Sequence, residues 1–102
     1  MNNNSSIHIK IDPDIAELIP AYLENRQRDI QTIEEALVLQ DYSAIQELGH
    51  RLKGSGGGYG FDTITEIGAA LENSAKSQDS ISIQEHLQRL IDYLKRLVLH
   101  YE

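Results

Sequence analysis

At 102 residues the chain holds one domain with one core and has no room for separate catalytic and nucleotide-binding domains. Hydrophobic residues at 40% and charged residues at 25% are ordinary globular proportions, and the absence of cysteine excludes disulfides, thiolate zinc sites and cysteine nucleophiles. A net charge of −7 argues against nucleic acid, whose binders present a positive face, and no apolar run approaches the roughly 20 residues that span a bilayer.

Met1-Asn2-Asn3-Asn4-Ser5-Ser6 lacks the basic-then-apolar order of a secretory signal, so a cytoplasmic protein is expected. Ile7, Ile9 and Ile11 alternate with polar residues, which suits an extended arm over residues 1–11 laid on the body. Asp12-Pro13 reads as a helix start, with Asp as N-cap and Pro in the first turn. Ile15, Leu18 and Ile19 follow, and Pro20 either divides a short first helix from a longer one or kinks a continuous helix. Tyr22, Leu23, Ile30, Ile33 and Leu37 then repeat with helical spacing.

Asp41 can cap the next helix, whose inward stripe is Ile45, Leu48, Leu52 and Gly56, before glycines from Gly54 to Gly60 end it. Thr63 and Glu66 have capping-box spacing for a helix buried through Ile64, Ile67 and Leu71. Residues 76–80 read as a polar loop. Ser82 and Glu85 give a second capping-box signal, opening a last helix with Ile83, Leu87, Leu90, Ile91, Leu94, Leu97 and Val98 inside. No strand–helix alternation and no repeat is visible. The expected fold is all-α: residues 12–102 form an antiparallel up-down four-helix bundle, with a short N-terminal helix or arm covering one end.

The glycines carry the functional argument. A helix-interior glycine costs about 1 kcal/mol relative to alanine, and while Gly58 and Gly60 suit a helix end, Gly54 falls where the stripe says the helix continues. On a wheel of about 100° per residue, His50 points about 140° from the core direction, with Gly54 and Gly57 stacked beyond it on its own face. The imidazole therefore projects from a surface that another protein's pocket can close over, flanked by Arg51 and Lys53. Gly49, Gly56 and Gly68 lie toward the core. An antiparallel turn at Gly60 would set Gly49 against Leu71, Leu52 against Gly68 and Gly56 against Ile64, large against small.

Competing motifs fail on inspection. No glycine triplet satisfies G-x-G-x-x-G, and Lys53 precedes Gly54 where a P-loop needs it after glycine. Glu47-Leu48-Gly49-His50 matches the Glu-x-x-His unit of di-iron bundles, but a second unit and the inward glutamates are missing, so no metal site is expected. His8, His86 and His100 have no partner at helical spacing and read as surface or packing histidines.

His50-Arg51-Leu52-Lys53-Gly54-Ser55, followed by Gly57, Gly60, Ile64, Ile67-Gly68 and Leu71-Glu72, resembles the histidine-containing phosphotransfer (HPt) family of two-component phosphorelays. The family pattern is H-x-L-K-G-[SA] with a glycine ten residues after the histidine. The likeness runs by helix order from about Asp12 to Tyr101, and the triple glycine is richer than the usual pattern.

The resemblance implies that His50 accepts a phosphoryl group from a receiver-domain phosphoaspartate and passes it to another receiver. Lys53 would stabilise the phosphoryl charge, while Gly54, Gly57 and Arg51 would serve docking and access. It implies no cofactor in this chain, Mg²⁺ being held by the partner, and no ATP-dependent kinase activity. Partners would be response-regulator receivers, a hybrid histidine kinase, or both, with the chain itself a monomer. The alternatives are a non-catalytic helical docking module, a histidine-dependent phosphatase, or a phosphoacceptor module excised from a histidine kinase. The start at Met1 favours a free-standing protein over the last.

Overall fold

The computed structural model describes residues 5–101; the expectations for residues 1–4 and 102 fall outside that range. In chain order the elements are strand β1 (Ile7–Ile11), a 3₁₀ segment (Pro13–Leu18), and helices α1 (Ile19–Leu39) and α2 (Tyr42–Ser55). A 3₁₀ turn (Gly57–Tyr59), helices α3 (Asp62–Lys76) and α4 (Ser80–Arg96), and strand β2 (Leu97–Tyr101) complete the chain. Among the described residues the fold is mostly helical, and its four α-helices supply most of the core, joined by Ile11 of β1 and Phe61.

Local chemistry sets the boundaries. Asp12 caps the 3₁₀ segment by accepting from the Asp14 amide at 2.9 Å, with Pro13 in the first turn where its missing N–H costs nothing. Pro20 falls in the first turn of α1, so it divides the short segment from the long helix without kinking the latter. Asp41 caps α2 through the Ala44 amide at 3.1 Å.

Both expected capping boxes are replaced. Helix α3 starts at Asp62 after Phe61, with no side-chain cap, and Phe61 is fully buried instead. Helix α4 starts at Ser80 because Asp79 accepts from both the amide and the hydroxyl of Ser82, at 3.1 and 2.8 Å. Ser82 is thus a donor to the cap, and the expected loop shrinks to residues 77–79.

A second correction concerns the chain's end. Leu97 and Val98 do not extend the last helix inward. The backbone turns extended at Leu97 (φ −66°, ψ 131°), and Leu97–Tyr101 pairs in parallel with Ile7–Ile11, Ile7 opposite Leu97 and Ile11 opposite Tyr101. Val98 is exposed. The all-α expectation therefore misses a two-stranded parallel ribbon, stabilised by pairing between chain segments far apart in sequence.

The core is aliphatic: Ile19, Ile33, Ile64, Ile67, Leu71, Ile83 and Leu90 are wholly inaccessible, with Tyr22 and Phe61 stacked beside them. Each such side chain contributes about 1.5–3 kcal/mol of burial. Helices α2 and α3 make the closest approach. A β-carbon on Gly49 would lie 2.7 Å from the Glu72 amide nitrogen, and one on Gly56 would lie 2.7 Å from that of Thr65. A β-carbon on Gly68 would overlap the backbone of Lys53. These contacts run in opposite chain directions, so the two helices are antiparallel. Gly60, at φ 93°, makes the turn between them in the left-handed region that glycine enters without strain.

Candidate functional site

His50 lies near the middle of α2 on its solvent face, with 68% of its side chain exposed, because the stripe Ile45–Leu48–Leu52 turns the opposite face into the core. Its Nδ1 is 3.0 Å from Glu72 Oε2, and Lys53 Nζ is 3.3 Å from Glu72 Oε1. One carboxylate of α3 thus bridges two residues of α2. Glu72 is itself largely buried, its side chain 12% exposed.

Burial alone would raise the pKa of the Glu72 carboxyl. The hydrogen bonds and charges of Lys53 and His50 outweigh that and hold it below the usual carboxylate range. An ionised carboxylate can only accept, so Nδ1 of His50 must be the donor. In neutral His50 this places the proton on Nδ1 and leaves the lone pair on Nε2. The carboxylate thereby selects which ring nitrogen is nucleophilic.

The other residues singled out in the sequence are distributed around this centre. Glycine at position 54 leaves open space, since nothing lies within 4 Å of where a β-carbon would sit. Gly57 is less free: its amide donates to Thr65 Oγ1 at 2.8 Å, and a β-carbon there would lie 3.4 Å from Asp62 Oδ1. Arg51 is exposed and pairs with Glu47 at 3.6 Å. It borders a different depression, between α1 and α2, where Tyr22 stacks on Tyr59 at 4.1 Å and Arg26 covers Tyr22 at 4.3 Å. A shallow concavity of about 260 Å³ adjoins His50, lined by Ser43, Gln46, Glu47 and Glu72.

Glu72 is the residue that reading the sequence for chemistry misses. It follows Leu71 in an apolar stripe and has the look of a helix flank. Its signal was the register: Gly49 and Gly68 let α3 approach α2 so closely that the side chain one turn beyond Gly68 reaches the one next to Gly49.

Elsewhere, the Tyr93 hydroxyl is buried without a hydrogen-bond partner among the described residues. Burial, with Asp62 and Tyr22 nearby, pushes its pKa up to about 12. No helix among the described residues is long and apolar enough to cross a membrane.

Comparison with known proteins bears on the same residues. The sequence model of the Hpt domain family matches residues 17–99, a span that includes all four α-helices and the His50–Lys53–Glu72 cluster. No curated protein and no solved structure matches the chain. The match extends over most of the sequence: the chain belongs to the Hpt domain family, whose members carry out histidine phosphotransfer in two-component systems with receiver domains and histidine kinases.

Proposed function

We propose that His50 is the phosphoacceptor of a cytoplasmic phosphorelay intermediate, loaded from a receiver-domain phosphoaspartate and discharged onto a second receiver. The observation that carries this reading is the exposed imidazole whose Nδ1 lies 3.0 Å from the Glu72 carboxylate and donates to it, which leaves Nε2 as the nitrogen with the lone pair. In the loading step the Nε2 lone pair attacks phosphorus. The N–P bond forms as the P–O bond to the aspartate breaks, and the carboxylate leaves with the electron pair. The ring then carries a positive charge at the Nδ1–H edge, opposite the Glu72 carboxylate. Discharge is the reverse, an acceptor carboxylate attacking phosphorus and Nε2 recovering its lone pair.

Phosphoryl transfer is governed by in-line positioning and by charge on the equatorial oxygens. Lys53, half exposed, offsets Glu72 at rest and offers a cation one turn from the reacting nitrogen. Gly54 leaves the acceptor's approach unobstructed, with Gly57 and Arg51 at the rim of the docking face. The antiparallel up-down order of the helices, with the N-terminal arm over one end, belongs to this reading as the rigid support for α2. Mg²⁺ resides on the receiver, and this chain supplies no cofactor of its own.

Incubation with a panel of Mg²⁺-charged, phosphorylated receiver domains tests the proposal. Acid-labile, base-stable phosphate on the protein, lost in a folded His50→Gln variant, is the expected result. Label retained in that variant would move the acceptor elsewhere. Absence of transfer from every receiver would favour a docking module.

A further inference from the structure

The β1–β2 ribbon is the feature that phosphotransfer does not use: β1 precedes the family match, and the match ends within β2. Parallel pairs are less stable per residue than antiparallel ones, and two strands alone are marginal in water. No further strand pairs with either outer edge among the described residues. Among the described residues no turn, loop or side-chain hydrogen bond beyond the ladder to β1 reaches the backbone of Val98–Tyr101.

The edges differ in charge. β1 carries Lys10, the kind of residue that guards an edge against pairing; its His8 is matched by His100 of β2, the two rings stacked and 2.8 Å apart between ring nitrogens, so the lysine alone distinguishes the edges. β2, Leu97-Val98-Leu99-His100-Tyr101, has no Lys, Arg, Asp or Glu, and both Val98 and Tyr101 are exposed. An open edge without lysine, arginine or carboxylate is a template for another strand.

We propose that the outer edge of β2 pairs antiparallel with the same edge of a second copy of this chain, converting two ribbons into one four-stranded sheet. Centred on Leu99, a two-fold arrangement sets Leu97 against Tyr101, Val98 against His100, and Leu99 against Leu99 of the second copy. Every pair is then apolar or singly polar, and the alternating faces stay matched. The same operation on β1 brings Lys10 into the new seam twice, opposite His8, whereas the β2 seam contains no lysine, so β2 is the selected edge. Because α4 enters β2 at Leu97, antiparallel pairing carries the two helical bodies to opposite ends of the sheet. This departs from the monomer expected from sequence, and it stands whether or not His50 is the acceptor.

Sedimentation from low to high micromolar concentration tests it. A concentration-dependent dimer is expected, weakened by Val98→Lys, which sets an ammonium against His100 of the second copy. Val38→Lys, an equal charge on another exposed apolar residue at the end of α1, leaves it intact. Leu99→Cys, in a chain without cysteine, forms a disulfide-linked dimer on mild oxidation. A monomer at every concentration overturns the proposal, as does a dimer that Val98→Lys weakens no more than Val38→Lys. If circular dichroism shows Val98→Lys unfolded, Leu99→Cys decides, and failure to cross-link overturns it.

Discussion

Gly49 and Gly68 meet carbonyl to α-carbon across α2 and α3: a β-carbon on either would lie 2.8 Å from the other's carbonyl oxygen. That crossing sets the geometry of the candidate site. His50 follows Gly49 directly, Glu72 lies one turn after Gly68, and the 3.0 Å contact between them exists because the backbones are this close. A side chain at the crossing would force the helices apart and lengthen that hydrogen bond.

Two glycine-to-alanine variants should therefore move in opposite directions. Gly68→Ala puts a methyl into the backbone of Lys53 and is expected to destabilise the fold by about 2 kcal/mol, overpacking exceeding the gain in helix propensity. Gly54→Ala meets nothing within 4 Å and is expected to stabilise the isolated protein by about 1 kcal/mol. Denaturant melts measure both. The same Gly54→Ala variant should slow transfer from a receiver by about tenfold or more, since a methyl beside His50 displaces the docked partner.

Glu72 is expected to act through His50, as a positioning residue. Glu72→Gln keeps an oxygen acceptor for Nδ1 and should retain most transfer activity, whereas Glu72→Ala removes it and should lower the transfer rate by about 10–100-fold. Nitrogen-15 spectra of the imidazole supply a readout that a merely structural role would not move. In the wild type and Glu72→Gln the proton stays on Nδ1, and in Glu72→Ala the tautomers mix.

Acid titration should report the same bridge. The carboxyl of Glu72 is held below its ordinary value of 4.5, so its contribution to stability is present above that pH and is lost as pH falls through the lowered folded value. Thermal melts of wild type and Glu72→Gln should differ above pH 4.5 and converge as the acid limit is approached. Curves that remain parallel through that window would remove the charge from the account.

At the alkaline end Tyr93 governs. Its hydroxyl ionises near 10 in the unfolded chain and at about 12 in the fold, so the unfolded state gives up its proton first. Stability should fall between those values. Tyr93→Phe, which removes a buried hydroxyl without a hydrogen-bond partner among the described residues, should flatten that decline while leaving the neutral-pH melt unchanged or higher. Phenolate absorbance recorded alongside circular dichroism checks both statements.

What the sequence disclosed was local. The stripe Ile45–Leu48–Leu52 fixed the phase of α2 and hence the outward direction of His50, and Asp12 and Asp41 announced their caps by chemistry confined to a few residues. The large-against-small alternation across Gly56–Ile64 and Leu52–Gly68 was readable because an antiparallel turn at Gly60 determines register, whereas the third expected pair fails: Gly49 meets the backbone of Gly68 and Glu72 and not Leu71. The failures were competitive or distant. Asp79 reached Ser82 before Ser82 could serve as a cap. Leu94, Leu97 and Val98 continue helical spacing, so periodicity gave no reason to stop α4; the reason is a strand some ninety residues earlier. Glu72 was hidden for a related cause, since its role exists only in the space between two helices.

The ribbon's direction has a mechanical consequence. Ile7 begins β1 beside Leu97, while β2 departs at Tyr101 beside Ile11. Tension drawing the two flanking chain segments apart therefore pulls the strands along their length in opposite senses. The ladder is loaded in shear, all its bonds together, and not peeled open one bond at a time. The pair closes the chain like a clasp, and a pull along the chain reaches the helices only after that clasp has slipped.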